Sequence, residues 1–168
     1  TQLVKPDDIP LFGKYNVLMN SSAIWFYCSP DITQILGEGR VDRQYQVVSV
    51  MKEGGRVTLG SDMPFDEMGD EPLKGVQMAV TRQLFSDPNA EVLAADFERM
   101  TVQEALGAYT INAAYGMHWE DKTGSLEVGK YADLVVLEKD LNEIDPHEIM
   151  NTQVLLTMMG GKTTYAQD

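Results

Sequence analysis

Two short apolar segments, residues 16–20 and 56–60, constrain the fold of this chain more than any other feature. Neither alternates polar with apolar side chains, which is the pattern of a strand buried on both faces of a parallel sheet. Parallel strands need a crossover connection, and residues 41–51 between them have helical spacing. The chain up to about residue 118 therefore predicts a parallel α/β layer.

Helix boundaries in this part of the chain are marked by proline, aspartate and glycine. Residues 6–10 predict a helix start, with Asp side chains capping its free N–H groups, and the helix should run to about Tyr15. The helix at residues 41–51 should stop at Gly54, since glycine adopts the left-handed conformation of a helix C-cap at little cost.

Two further helices are predicted in the second half of the layer. Residues 72–85 have apolar side chains spaced four apart, as on one face of a helix. Thr101 and Glu104 match a capping box, in which each side chain bonds the backbone N–H of the other residue. That helix should continue to about Gly116, and its expected buried side chains are Leu106, Tyr109 and Ala113.

The pattern changes at about residue 124, after which the chain is mainly strand. Residues 124–129 are a turn-rich connector and residues 132–137 read as a strand. Asp145 and Pro146 predict the start of one short helix. Residues 153–165 predict a hairpin around Gly160-Gly161. We therefore expect two units, residues 1–123 and residues 124–168.

The composition is that of a globular protein and excludes several classes of partner. The chain has 168 residues, 43% hydrophobic and 23% charged, which is too apolar for a disordered segment. Its formal charge of −13, without a Lys/Arg cluster, argues against binding to nucleic acid or to an anionic membrane surface. No apolar run approaches the ~20 residues of a membrane span.

Asp62 is the candidate catalytic residue. It directly follows the carboxyl end of the second predicted strand, the edge of a parallel sheet where ligands bind. Gly60 would let a ligand approach the backbone, and Pro64 would stiffen the exit. An Asp that only caps the turn or the following helix explains the same spacing.

Three other reactive side chains carry weaker signals. His118 and His147 stand in different units without an i, i+4 partner, so surface or cap roles are expected rather than zinc ligation. Cys28 is the single cysteine and lies in an apolar stretch, as a buried small hydrophobe would. The acidic loop at residues 61–71 lacks a calcium-loop pattern, and Glu38 would repel a phosphate from its glycine-containing segment.

Several segments together resemble the carboxyl-terminal part of the amidohydrolase superfamily, closest to amidohydrolase family 3. Residues 124–137, GSLEVGKYADLVVL, are similar to the family segment that leads from the barrel into a small β-sandwich. Residues 60–64 (GSDMP), 79–82 (AVTR) and 110–115 (TINAAY) resemble further family motifs. Residues 154–162 look like the closing strand pair. The order and spacing of these motifs make the resemblance specific.

The resemblance implies a metal-dependent (β/α)8 TIM barrel that hydrolyses C–N bonds of small molecules, such as non-peptide or cyclic amides, through a metal-activated water. Asp62 matches the strand-eight Asp that is a metal ligand and moves protons. The implied cofactor is a divalent metal, with zinc expected. The family's other metal-centre residues have no counterpart here, and Met63 stands where the family often has Trp.

Length favours a partial barrel. A complete barrel takes ~250 residues, so we expect the last strand–helix units of a TIM barrel, with residues 16–20 and 56–60 as strands seven and eight, plus part of the sandwich tail. The expectation is a carboxyl-terminal fragment of the enzyme, inactive and metal-free by itself, that self-associates through exposed barrel edges. No compartment is assigned by the sequence; the cytoplasm is favoured.

A second interpretation belongs to another class. The chain could be a non-catalytic binding or scaffold module derived from an amidohydrolase barrel that has lost its metal centre. In that interpretation Asp62 is only a turn residue, and its replacement by Asn would change no measurable property.

Overall fold

The computed structural model of the chain describes residues 1–37, 39–62, 71–93 and 95–167. In these ranges the strands form two sheets. Strands β1 (Leu18–Ser21) and β2 (Arg56–Leu59) form a parallel pair. The second sheet is antiparallel, in the order β3-β4-β5, and its strands are β3 (Leu134–Leu137), β4 (Val154–Met159) and β5 (Lys162–Ala166).

The parallel pair confirms the predicted parallel α/β layer. Leu18 lies opposite Arg56 and Ser21 opposite Leu59, and the Gly60 N–H donates a 3.0 Å hydrogen bond to the Ser21 carbonyl. The first strand begins two residues later than residues 16–20 predict, because Asn16 takes a positive φ of 50° and ends the preceding turn. Both carboxyl ends therefore lie at the same edge of the sheet.

Six α-helices surround the strands in the described ranges: α1 (Ile9–Lys14), α2 (Pro30–Leu36), α3 (Val47–Lys52), α4 (Pro72–Thr81), α5 (Val102–Tyr109) and α6 (Ile111–Gly116). Short 3₁₀ turns lie at Pro6–Asp8, Ala23–Trp25, Val41–Arg43, Asp96–Glu98 and Pro146–Asn151. The last of these replaces the predicted short α-helix, and the Asp145 carboxylate caps it by accepting from the His147 backbone N–H.

Three predicted helices are shorter than their sequence patterns indicate. The helix predicted at residues 41–51 is interrupted at Tyr45, whose φ of 53° is incompatible with a helix. The helix predicted at 72–85 ends at Thr81, because Arg82 takes a φ of 55°. A third break separates α5 from α6 at Thr110 (φ −117°, ψ −93°). At Tyr45 the N–H donates to the Gln2 carbonyl, and at Arg82 the carbonyl accepts from the Leu93 N–H, so tertiary hydrogen bonds take the place of the next helical ones.

The buried face of α5 and α6 is also different from the prediction. Leu106, Tyr109 and Ala113 are only half-buried, whereas the fully buried side chains are Ala105, Ala108 and Ala114. Small alanines let α5 approach its neighbours closely, and a Cβ at Gly75 of α4 would stand 2.0 Å from the Tyr109 hydroxyl. The predicted Asp capping bond is likewise absent, since neither Lys5, at the cap of the first 3₁₀ turn, nor Asp8, at the cap of α1, makes a side-chain bond there.

The tail and the parallel layer share one core. Leu141 and Ile149, on the segment between β3 and β4, are buried in the same cluster as Met19 and Val57 of the parallel strands. The Gln77 side chain of α4 accepts a 3.0 Å hydrogen bond from the Met150 backbone N–H. The 3₁₀ turn at Pro146–Asn151 is therefore fixed on α4 by both apolar and polar contacts.

The antiparallel tail sheet exposes apolar side chains on both faces. Val135 and Val136 are neighbours on β3, so they point to opposite faces, and both are exposed. Gly160 and Gly161, at φ 56° and 76°, form the predicted mirror-type turn between β4 and β5. Among the described helices, none is long and apolar enough to cross a membrane.

The capping box at α5 generates a stability prediction. The Thr101 Oγ1 accepts from the Glu104 N–H at 3.2 Å, and the Glu104 carboxylate accepts from the Thr101 N–H at 2.7 Å. We expect Thr101→Ala to lower the free energy of unfolding by about 1 kcal/mol, because an orphan helix donor loses its partner. Urea denaturation measures the change, with the exposed Gln103→Ala of the same helix turn as the control, which should be nearly neutral.

The open sheet edges generate a prediction about assembly. Each strand of the parallel pair leaves an edge without a partner strand in the described part of the chain, and such edges pair with other chains. We expect light scattering at high micromolar concentration to give a mass above the 18.7 kDa of one chain. Association should strengthen with salt, because salt screens the repulsion between chains of charge −13. A strictly monomeric mass at all salt concentrations would contradict it.

Candidate functional site

Asp62 lies at the rim of an open cleft of about 640 Å³ at the carboxyl edge of the parallel strands. Residues directly following β1, residues 44–45 before α3, and the first two residues of the chain also line this cleft. The predicted placement of Asp62 beyond the second strand is therefore what the structure gives. Its role in catalysis or metal binding stays a prediction.

The Asp62 carboxylate is held by a tryptophan that sequence reasoning did not select. Trp25 ends the 3₁₀ turn that follows β1, and its indole Nε1–H donates to Asp62 Oδ2 at 2.9 Å. Asp62 is exposed and has a φ of 59°, a conformation that Asp tolerates better than most residues. This bond fixes one carboxylate oxygen, so the carboxylate has a defined orientation at the cleft rim.

Tyr45 forms an aromatic wall of the same cleft. Its ring packs against the buried Phe26 ring with centroids 4.7 Å apart. Burial raises the pKa of the Tyr45 hydroxyl to about 12; Tyr27 and the negative charge of Asp62 act in the same direction, and Arg82 opposes them. The hydroxyl is therefore neutral near pH 7 and able to donate a hydrogen bond.

Arg82 reaches this wall from the end of α4. Its side chain is fully buried, and its guanidinium donates to three backbone carbonyls: Leu93 at 2.9 Å, Gln44 at 2.8 Å and Tyr45 at 3.2 Å. Burial lowers the pKa of Arg82 to about 10, still well above neutrality. Sequence reasoning noticed this residue only as part of the AVTR motif; the available signal was that Arg82 is the one charged residue in residues 75–86.

The described residues do not complete a metal centre. They contain no group of three or more His, Cys, Asp or Glu side chains placed to hold one ion. Asp31 also lines the cleft, as a second exposed carboxylate beside Asp62. Met63, Pro64 and most of the predicted acidic loop lie outside the described residues, as does Glu38. A metal bound at Asp62 would therefore need ligands from elsewhere.

The two histidines and the cysteine take no part in the cleft. His118 is exposed just beyond α6. His147 is half-buried in the tail, with Nε2 3.0 Å from Gln83 Oε1 and Nδ1 3.1 Å from Asp145 Oδ1. Burial raises the pKa of the Cys28 thiol, and the neighbouring Glu91 carboxylate raises it further, which disfavours the reactive thiolate.

A parallel strand pair with an Asp at its carboxyl edge is the arrangement in which α/β proteins bind ligands, and comparison with known proteins identifies the family of the chain. The model of the amidohydrolase family matches residues 2–165. The N-substituted formamide deformylase of Arthrobacter pascens is 34% identical over 121 residues, which are 72% of this chain and 21% of that protein. The chain belongs to the amidohydrolase family, in its family 3 branch.

Solved structures agree on the fold. An uncharacterized metal-dependent hydrolase from Pyrococcus horikoshii has a TM-score of 0.70 at 22% identity, covering 86% of this chain and 29% of that one. A zinc-bound adenosine deaminase from Xanthomonas campestris has a TM-score of 0.62 at 18% identity, covering 99% and 36%. The chain thus spans about a fifth to two fifths of the length of these relatives.

The raised pKa of Tyr45 generates a prediction at alkaline pH. An unfolded tyrosine loses its proton near pH 10, whereas Tyr45 in the folded chain keeps it to about 12. The stabilisation is therefore complete below pH 10 and is lost as the pH rises toward 12. We expect Tyr45→Phe to make the free energy of unfolding fall less steeply in this window, measured by urea denaturation; the exposed Tyr165→Phe should leave the slope unchanged.

Proposed function

We propose that this chain is the carboxyl-terminal part of a metal-dependent amidohydrolase that hydrolyses C–N bonds of small amides. Asp62 would be one ligand of a divalent metal, with zinc as the proposed ion, and would transfer protons during hydrolysis. β1 and β2 would be the last two strands of a (β/α)8 barrel, and β3–β5 part of a small sandwich. The chain alone is proposed to be inactive.

One observation carries the proposal: an oriented carboxylate at the shared carboxyl edge of two parallel strands, in a chain of this family. The Trp25 indole fixes one Asp62 oxygen, and the cleft beside it has room for a small substrate. A carboxylate in that position can accept a proton from a bound water and return it to the leaving nitrogen. The formamide deformylase among the relatives acts on such a C–N bond, which supports an amide substrate.

The small share of each relative that this chain covers supports its being part of a larger enzyme. The described residues supply Asp62 and Asp31 at the cleft but no complete set of metal ligands. We propose that the remaining ligands come from residues that precede this chain in a longer polypeptide, since the chain spans only 21% of the formamide deformylase. The coding sequence upstream of Thr1 is the first place to look, for a His shortly before it and an H-x-H motif much earlier.

Replacement of Asp62 tests the proposed role. In the protein expressed with its upstream coding sequence, we expect stoichiometric metal and hydrolysis of N-substituted formamides or related amides. Asp62→Asn should lower kcat by about 10²- to 10⁴-fold, the usual contribution of a general acid–base. Asp7→Asn, at an exposed carboxylate outside the cleft, is the matched control and should keep full activity.

Metal analysis of the 168-residue chain tests whether the isolated chain can hold the metal by itself. We expect less than stoichiometric zinc, because one carboxylate with a second nearby binds a divalent ion weakly. One tightly bound zinc per isolated chain would contradict the proposal. An Asp62→Asn variant of the longer protein that keeps full metal content and activity would contradict the proposed role of Asp62. A longer protein that binds no metal and hydrolyses no amide would favour the alternative of a non-catalytic module.

A further inference from the structure

We propose that Arg82 is a positioning residue for the candidate site, and that Tyr45, which it holds, is a substrate-contacting residue in the wall of the Asp62 cleft. The substrate part of this inference rests on the proposed function. The positioning part depends only on the contacts between Arg82, the backbone of residues 44–45 and the aromatic pair beside them.

The burial of Arg82 is unfavourable by itself, because a fully buried cation loses its hydration. In the described residues three backbone carbonyls compensate the cation directly, and the negative charge of the buried Glu98, which is not in ion-pair distance, adds to them. An apolar side chain would fill the same core space at a lower cost in desolvation. Only arginine has a planar guanidinium that can donate to two successive carbonyls, those of Gln44 and Tyr45, while its Nε–H donates to the Leu93 carbonyl.

Arg82 holds a strained segment of backbone. Tyr45 has a φ of 53°, a conformation that a bulky residue keeps only where its surroundings enforce it. Three bonds do so: the Tyr45 carbonyl accepts from Arg82 at 3.2 Å and from the Val47 N–H at 2.8 Å, and the Tyr45 N–H donates to the Gln2 carbonyl at 2.8 Å. The strained residue is thus clamped on both sides of its Cα.

This backbone conformation places the Tyr45 side chain beside Phe26 and the cleft. The Tyr45 ring packs against the Phe26 ring at an interplanar angle of 36°, and the Arg82 guanidinium lies over the same Phe26 ring, 5.6 Å from its centroid. Tyr45 lines the cleft with Asp62 and Trp25. Its neutral hydroxyl is therefore a hydrogen-bond donor for an oxygen of a substrate bound beside Asp62.

Arg82 is itself fixed, so it can serve as a support. Its own N–H donates to the Met78 carbonyl and its carbonyl accepts from the Leu93 N–H, both at 2.8 Å. It sits directly at the end of α4, the helix against which the tail is packed. A rigid helix end therefore determines the position of the cleft wall.

The test uses the 168-residue chain labelled with 3-fluorotyrosine and read by fluorine NMR well below its unfolding temperature. Seven tyrosines give the signals, and Tyr45→Phe identifies the one from Tyr45. Arg82→Lys keeps the charge but cannot hold both carbonyls, so we expect the Tyr45 signal to shift and broaden while the exposed Tyr165 signal stays. Lys74→Met, which removes a cation from the same helix, should leave both signals unchanged.

The outcomes separate positioning from a purely structural role. An Arg82→Lys chain that melts earlier but keeps the Tyr45 signal of the wild type would overturn the positioning role. If the variant does not fold, proton exchange of the Arg82 guanidinium in the unmodified chain decides: the protons that donate to the Gln44 and Tyr45 carbonyls should exchange slowly. Arg82 protons that exchange as fast as those of the exposed Arg40 would overturn the clamp.

The substrate-contacting role of Tyr45 is tested in the amide-hydrolysis assay of the longer protein that is used for Asp62. Tyr45→Phe and Arg82→Lys should each raise KM by about 3- to 10-fold, the value of one neutral hydrogen bond, with a smaller change in kcat. An unchanged KM for Tyr45→Phe in an active enzyme would overturn this role. If no amide is hydrolysed at all, the proposed function fails, whereas the fluorine signal still decides whether Arg82 positions Tyr45.

Discussion

The parallel pairing of β1 with β2 is the constraint from which the candidate site follows. Because Ser21 lies opposite Leu59, the two chain segments that leave these strands start at the same edge and only one strand spacing apart. One segment carries Trp25 and the other Asp62, which meet in a hydrogen bond. A shift in register would separate Trp25 from Asp62. The register that buries the strands therefore also determines the orientation of the Asp62 carboxylate.

Backbone strain occurs at the cleft and at the residue that supports it. Tyr45, Asp62 and Arg82 are three of the six non-glycine residues with a positive φ in the described ranges. Two of them are held by contacts from distant segments: Asp62 by the Trp25 indole, and Tyr45 by the buried Arg82 guanidinium. Such residues persist where the surrounding fold enforces them, and they are common at functional sites. The conformation of the cleft residues therefore depends on the stability of α4 and of the core against which α4 packs.

Sequence reasoning succeeded where the signal is local. The strand at Arg56–Leu59, the Thr101 capping box and the Gly160-Gly161 turn depend on neighbouring residues and were predicted with nearly the correct bounds. It failed at Tyr45 and Arg82, where a helical pattern continues but bonds between distant segments break the helix. The family motifs found Asp62, whereas its partner Trp25 lay in a stretch read only as apolar.

The attachment of the tail to α4 has a consequence for how the chain responds to nicking. Gln77 binds the backbone of Met150, and Leu141 and Ile149 lie in the common core. A protease that cut the exposed part of the connector, residues 126–129, would leave two pieces that still adhere through this contact. Separation would require unfolding of the parallel layer, so the nicked protein would elute as one species under native conditions and as two only in denaturant.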